Sequence, residues 1–174
     1  MEYKEIRLSG SGGQGIILMG IILAEAAIMS NVNAIQSQSY GPEARGGASK
    51  CEVIISESEI NFPKVRKPDI LLSLTQDAFD KYKIDLKNDG IVIVDEKIEV
   101  PKDVDFKVYK APILSIAHEV LKKPMTVNIV ALGVLNKIAS LVNNDILKEA
   151  ILKRVPKGTE DLNKKAFETG SNLL

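Results

Sequence analysis

The alternation of apolar and polar positions divides the first part of the chain into a short strand and a long helix. Residues 5–9 alternate as in a strand, and a glycine-rich stretch follows at once. The segment from Gln14 to Met29 is too long for a strand and carries apolar side chains on more than one face. This pattern predicts a helix buried on several sides, which a small domain seldom achieves without a neighbouring subunit.

Further apolar runs extend the alternation of strands and helices along the chain. Residues 32–39 are interpreted as the second strand of a βαβ unit, and Thr75 is placed to cap a helix with its hydroxyl. Additional strands are predicted at 50–56, 69–74, 91–95 and 105–109, and additional helices at 113–122, 126–141 and 144–153. This order predicts an α/β fold with a mainly parallel sheet flanked by helices.

The chain shows no internal repeat and no long linker, so residues 1–174 are predicted to form one domain. Residues 157–174 are polar, with a few apolar positions at helical spacing, and predict a peripheral helix that is a candidate docking element.

Composition and charge narrow the class of protein. Hydrophobic residues make up 45% and charged residues 26% of the 174 residues, as in a globular domain. The 23 Lys and Arg residues balance the 23 Asp and Glu residues, so no net charge draws the chain to nucleic acid or to an anionic membrane. The amino terminus lacks the layout of a signal peptide, and the longest apolar run, 16–24, is shorter than the ~18 residues of a membrane span. A cytoplasmic protein without nucleic-acid or membrane partners is predicted.

Single polar residues give little sign of catalysis. Cys51 is the only cysteine, so this chain alone cannot form a disulfide, a Cys-based zinc site or an iron–sulfur cluster. It is interpreted as a small strand residue, with a reactive thiol as the alternative. His118, the only histidine, is interpreted as a helix-surface residue, and Asn128 as a helix-start residue with an interface position as the alternative. No catalytic residue and no metal site are predicted.

The first motif is Gly10-x-Gly12-x-x-Gly15, between the first strand and the long helix. Its spacing is that of a dinucleotide fingerprint, in which missing side chains let backbone N–H groups approach phosphate oxygens. Gly10, Gly12, Gly13, Gln14 and Gly15 are therefore candidate ligand-contacting residues. The alternative is that the glycines only pack the helix tightly against the sheet.

Two common nucleotide chemistries are disfavoured. An NAD site has a carboxylate about 20 residues beyond the loop, and residues 34–39 contain no acid. A phosphate-binding loop of the Walker type requires Lys and Ser or Thr directly after its last glycine, whereas Ile16 and Ile17 follow Gly15. Neither an NAD dehydrogenase nor a nucleotide hydrolase is predicted.

The second motif, QSYGPEARGG at residues 38–47, combines Tyr40, Glu43 and Arg45 in one predicted loop. Loops at strand ends are where α/β sheets bind ligands. Arg45 can bind a phosphate or carboxylate bidentately, or pair with Glu43 or with an acid of a partner chain. The alternative is a surface loop braced by its own ion pair.

Together the two motifs resemble the gamma subunit of the 2-oxoacid:ferredoxin oxidoreductases, in order and in spacing, and the resemblance covers residues 4–152. It implies a Rossmann-like fold for this chain. It also implies that thiamine diphosphate, magnesium and iron–sulfur clusters are held by partner subunits and none by this chain alone. Those partners would be alpha and beta subunits and, where the enzyme has one, a ferredoxin-like delta subunit.

The implied reaction of the whole enzyme is the oxidative decarboxylation of a 2-oxoacid with coenzyme A, giving acyl-CoA, CO2 and reduced ferredoxin. This subunit would support assembly and coenzyme A access. The second motif is most similar to that of the 2-oxoglutarate type. The alternatives are a pyruvate, branched-chain oxoacid or indolepyruvate enzyme subunit, or a free-standing nucleotide-binding module.

Overall fold

A computed structural model gives the fold and describes residues 3–39 and 47–173. The strands in these residues are β1 Lys4–Ser11, β2 Asn33–Ser39, β3 Ala48–Ser56, β4 Ile70–Ser73, β5 Ile91–Asp95 and β6 Lys107–Ala111. The helices are α1 Ile16–Met29, α2 Gln76–Tyr82, α3 Ile113–Ser115 with a π-helical turn at Ile116–Val120, α4 Val127–Ala139, α5 Asn144–Arg154 and α6 Glu160–Ser171, and a 3₁₀ turn at Pro124–Thr126 precedes α4.

The described strands form one sheet in the order β2-β3-β1-β4-β5-β6. β1, β4, β5 and β6 run parallel, whereas β3 is antiparallel to both β1 and β2. The predicted α/β fold with a mainly parallel sheet flanked by helices is confirmed.

β3 separates β2 from β1, which the interpretation as a plain βαβ unit did not anticipate. β1 and β2 run in the same direction and are joined by α1, as in such a unit, but they are not neighbours. Val53, Ile54 and Ile55 of β3 are at most 1% exposed, whereas residues 33–38 of β2 are mostly polar and are half-buried or exposed. The more apolar strand therefore occupies the covered position and the polar strand the edge.

The two faces of the sheet are covered by different helices. α1 lies over β1, β2 and β3 on one face, and α2 lies on the other face, where Phe79 packs against Leu71 and Val92. α1 approaches the sheet closely at Gly20, because a side chain there would overlap the Cys51 sulfur. One face of α1 stays open, since Ile17 and Ile21 are only half-buried.

The helix predicted for residues 157–174 is α6, and it is attached more tightly than a peripheral element. Ala166 and Phe167 are at most 2% exposed. Gly133 of α4 and Gly170 of α6 have no room for a side chain, because each lies against the backbone of the other helix. None of the described helices has the length and hydropathy of a membrane span.

Candidate functional site

The glycine motif forms the turn between β1 and α1 at the carboxyl edge of the parallel strands. The backbone N–H of Gln14 donates to the Ser11 carbonyl at 3.3 Å. The backbone N–H of Ser11 donates in turn to the Gln14 side-chain oxygen Oε1 at 2.7 Å. Gln14 therefore closes the turn with its own side chain.

The inner half of the turn, Gly10 and Gly15, is packed. Gly15 has φ 72° and ψ 25°, in the left-handed region that glycine adopts without strain. Its carbonyl accepts a long hydrogen bond of 3.5 Å from Asn128 Nδ2, and a side chain on Gly15 would overlap Asn128. A side chain on Gly10 would overlap the Gln14 side chain in the same way. These contacts are the ones that the packing interpretation expects, and ligand contact by these two glycines stays a prediction.

The outer half, Gly12 and Gly13, is exposed, and apart from each glycine and its chain neighbours no described atom lies within 4 Å of where a Cβ would stand. α1 begins without a side-chain cap and has no acid in its first turn. Its first N–H groups lack partners within the helix, and the helix dipole adds partial positive charge there. The outer half is thus open to a ligand or a partner chain. The N–H groups and the positive end of the helix dipole at the start of α1 favour an anionic group there.

The second motif begins and ends beside the glycine turn. β2 ends at Ser39, which pairs with Lys50, and β3 begins at Ala48, which pairs with Ser11 of the glycine turn. The Ser49 hydroxyl also donates to the Gly10 carbonyl at 3.3 Å. The segment between these strands therefore leaves and re-enters the sheet at the edge that carries the glycines.

Three predicted site residues, Tyr40, Glu43 and Arg45, lie outside the described residues. Their contact with a ligand or a partner stays a prediction.

Asn128 lies at the start of α4 and contacts the glycine turn. It is the second residue of α4 and does not cap the helix; Thr126 precedes the helix at the capping position. Asn128 is 4% exposed, its Nδ2 is directed to Gly15, and its Oδ1 has no hydrogen-bond partner among the described residues. A buried carbonyl oxygen without a donor costs stability, so Asn128 is a candidate for contact with water, a ligand or a partner chain. An amide within the otherwise apolar run 127–131 was the sequence signal.

A largely apolar groove of about 340 Å³ lies next to Asn128. Leu18 of α1 and Leu162 of α6 line it, and Met125, which is 71% exposed, stands at its rim. Methionine side chains adapt to varied apolar surfaces. Asn128 therefore connects the base of the glycine turn to an apolar groove on the same side of the molecule.

Other polar groups at the carboxyl edge make hydrogen bonds within the chain. The Asp95 carboxylate is fully buried and accepts from the amides of Lys97 at 3.2 Å and Leu114 at 2.8 Å. The Thr75 hydroxyl caps α2, as predicted, by accepting from the Ala78 amide at 3.4 Å. Across residues 3–39 and 47–173, no three His, Cys, Asp or Glu side chains converge on a position where they could hold a metal ion.

Cys51 is fully buried beneath α1, and its sulfur accepts a hydrogen bond from Gln36 Nε2 at 3.0 Å. Burial raises the pKa of the thiol, so the nucleophilic thiolate is disfavoured at neutral pH. These contacts match the interpretation of Cys51 as a packed strand residue. His118 lies exposed in the π-helical turn, as expected for a surface histidine.

Residues 5–173 match the family model for pyruvate ferredoxin/flavodoxin oxidoreductase. The chain belongs to this family. The match spans nearly the whole chain, and it confirms the resemblance that the two motifs indicated.

A named relative and a solved structure are also similar to this chain over nearly its whole length. The chain is 54% identical over 171 residues to 2-oxoglutarate synthase subunit KorC of Methanocaldococcus jannaschii, an alignment that covers 96% of this chain and 91% of the relative. The crystal structure of a keto/oxoacid ferredoxin oxidoreductase gamma subunit from Geobacter sulfurreducens matches with a TM-score of 0.90 at 42% identity, covering 99% of this chain and 97% of that one.

A 2-oxoglutarate:ferredoxin oxidoreductase from Magnetococcus marinus also matches with a TM-score of 0.90, at 22% identity, over 99% of this chain but only 31% of that chain. At this identity the match shows the fold alone. The same fold therefore occurs both as a separate chain and as part of a longer one.

Proposed function

We propose that the chain is the gamma-type subunit of a cytoplasmic 2-oxoglutarate:ferredoxin oxidoreductase. The observation that carries this proposal is the near full-length similarity to a 2-oxoglutarate synthase subunit. The assembled enzyme oxidatively decarboxylates 2-oxoglutarate with coenzyme A and yields acyl-CoA, CO2 and reduced ferredoxin.

The chain works as a non-catalytic subunit within that assembly. Thiamine diphosphate with magnesium and the iron–sulfur clusters are held by alpha and beta subunits and by a ferredoxin-like delta subunit where one is present. The lone, buried Cys51 supports this division, since a cluster in these enzymes needs several thiolates.

The carboxyl edge is the part of this chain that we assign to coenzyme A access and subunit contact. Gly12 and Gly13 leave room for an anionic group, such as a coenzyme A phosphate, beside the uncapped start of α1. Gly10, Gln14 and Gly15 hold the turn in shape. Tyr40, Glu43 and Arg45 complete the site in this proposal, with Arg45 as the charged anchor.

The direct test is purification of the tagged chain from its native cell, followed by an assay with several 2-oxoacids. We expect thiamine- and cluster-containing chains to co-purify, with coenzyme A-dependent ferredoxin reduction greatest on 2-oxoglutarate. A chain that purifies without such partners would contradict the subunit assignment. Preference for pyruvate, a branched-chain oxoacid or indolepyruvate would contradict the substrate.

Substitutions at the open edge test the site itself. Gly12→Val fills space that is empty in the fold, so it is expected to leave the isolated chain folded while weakening assembly or raising the KM for coenzyme A. Arg45→Ala is expected to act in the same direction. Asn88→Val, in an exposed turn at the opposite edge of the sheet, is the matched control. If both site variants assemble and turn over like wild type, the site assignment is wrong.

A free-standing nucleotide-binding module is the second candidate, favoured only by the open Gly12–Gly13 backbone. Calorimetry of the isolated, folded chain with coenzyme A, NAD and FAD separates the two proposals. Tight binding of any of these in the absence of partner chains would favour the module.

A further inference from the structure

Four residues join the end of α2 to β1 and β3 on the face of the sheet opposite α1. Arg7 of β1 is 4% exposed, and its Nε donates to Glu52 Oε1 at 2.7 Å. Its Nη1 donates to the backbone carbonyl of Tyr82 at 3.1 Å. Lys50 Nζ donates to the same Glu52 oxygen at 2.8 Å. We call Arg7, Lys50, Glu52 and Tyr82 the Tyr82 network.

The Tyr82 network fixes the last residue of α2. The final carbonyls of a helix have no partner within it, and Arg7 supplies one to Tyr82. The side chains of Arg7 and Glu52 are only 5% and 11% exposed, so a charge left without a partner here would be costly and the fully paired arrangement is strongly favoured. The Tyr82 side chain therefore extends from a fixed backbone position, with Lys50 Nζ 5.7 Å from its ring centroid.

The Tyr82 hydroxyl reaches the start of β3, beside the glycine turn. It donates to the Ala48 carbonyl at 2.9 Å. Ala48 pairs with Ser11, the last residue of β1, and this is the final pair of the β1–β3 ladder. The next residue, Ser49, donates its hydroxyl to the Gly10 carbonyl at 3.3 Å. The ends of a ladder open more readily than its centre, so the hydrogen bond from α2 stabilises the end that carries the glycines.

Ser11 connects this strand end to the open half of the turn. It directly precedes Gly12, and its carbonyl accepts from the backbone N–H of Gln14 at 3.3 Å. Apart from each glycine and its chain neighbours, no described atom lies within 4 Å of a Cβ placed on Gly12 or Gly13. Among the described residues, Ser11 and Gln14 therefore hold the two open glycines from either side, and Ser11 is held by Ala48.

We propose that Tyr82 is a positioning residue for the site at Gly12 and Gly13. Its hydroxyl holds Ala48 beside Ser11, and Ser11 holds the open glycines in the arrangement that meets the anionic group. Tyr82 acts through β3 and not by touching the bound group. This inference rests on the proposed function, because it takes the open edge as the part of the chain that contacts coenzyme A.

The test compares Tyr82→Phe with Tyr3→Phe in the assembled enzyme. Tyr82→Phe keeps the ring and removes the hydroxyl, so the KM for coenzyme A is expected to rise by about twofold to tenfold, the factor that one hydrogen bond represents. The kcat is expected to stay within about twofold of wild type, because Tyr82 contacts no reacting group in the proposed enzyme. Tyr3→Phe is the matched control, since it removes a hydroxyl that donates to Glu5 Oε1 at 3.4 Å, at the opposite end of β1. It is expected to leave both constants unchanged.

Hydrogen exchange of the assembled enzyme measures the positioning itself. In Tyr82→Phe the backbone N–H groups of residues 10–13 and 48–50 are expected to exchange faster than in wild type, while exchange in β5 stays the same. The proposal is overturned if exchange at residues 10–13 is unchanged, if the KM for coenzyme A is unchanged, or if Tyr3→Phe raises this KM as much as Tyr82→Phe does.

Gly12→Val in the same assay separates failure of this inference from failure of the proposed function. If Gly12→Val raises the KM for coenzyme A and Tyr82→Phe does not, the positioning role alone is wrong. If neither variant changes it, the assignment of the open edge to coenzyme A is wrong, and the positioning role with it.

Discussion

The outer and inner halves of the glycine turn use the same residue type for different purposes. Gly12 and Gly13 face open space, while Gly10 and Gly15 lie against side chains that leave no room for a Cβ. The motif spacing does not distinguish them, because a glycine required by packing and one required by a ligand are identical in sequence. The inner half packs against Gln14 and Asn128, and we expect the outer half to contact a ligand or a partner chain.

The largest expected effect is that of Gly15→Ala. An alanine at φ 72° costs about 1–2 kcal/mol, and overlap with the buried Asn128 adds about 1–3 kcal/mol. The free energy of unfolding, measured by urea denaturation, should therefore fall by about 2–5 kcal/mol. Gly12→Ala is the matched control in the same turn and should change it by less than about 0.5 kcal/mol. Equal losses in the two variants would remove the distinction between the halves.

Gly20→Ala tests a packed glycine outside the motif. The added methyl group overlaps the Cys51 sulfur, and part of this cost is offset by the better helix propensity of alanine. A net loss of about 1–2 kcal/mol is expected in thermal unfolding. Cys51→Ala removes the sulfur, so the double variant should lose less than the sum of the two single variants. Strict additivity would show that this contact does not set the helix position.

Asn128→Leu tests whether Asn128, which contacts Gly15 and lines the apolar groove, contributes to assembly as well as to folding. It removes a buried carbonyl oxygen that lacks a donor together with a weak bond to Gly15, so the free energy of unfolding of the isolated chain should change by less than about 1 kcal/mol. If Asn128 is a contact in the assembled enzyme, co-purification of partner chains should decrease. A large loss of stability in the isolated chain would instead indicate a purely structural role.

The smallest effect is expected at the far end of α1, which is anchored independently of the glycine turn. Arg154 Nε donates to Glu25 Oε2 at 2.8 Å, and this hydrogen bond holds the pKa of the Glu25 carboxyl below its ordinary value. A lowered folded-state pKa means that the stabilisation is present above the unfolded-state pKa and is lost as pH falls through the lower, folded value. Glu25→Gln should therefore reduce stability slightly at neutral pH and converge with wild type in acid. A constant difference across the pH range would contradict this.

Much of the fold was predictable from local patterns. α1 was predicted at 14–29 and begins two residues later, and the strand predicted at 91–95 is β5 without change. The strand predicted at 105–109 is shifted by two residues, to Lys107–Ala111, because its alternating polar residues give a weak boundary signal. The π-helical turn with His118 was not predicted, since no residue type signals an extra residue in a helical turn.

The sequence by itself determined the α/β class, the order of elements, the family and the two motifs, because these follow from hydrophobic periodicity and from glycine and proline chemistry close together in the chain. Only the tertiary structure decided that β3 lies between β1 and β2, that Asn128 reaches Gly15 across 113 positions, and which glycines of the motif stay open. The physical reason is that strand order and close packing depend on contacts between residues far apart in sequence, whose competing arrangements bury similar apolar surface and differ only in how well they fit.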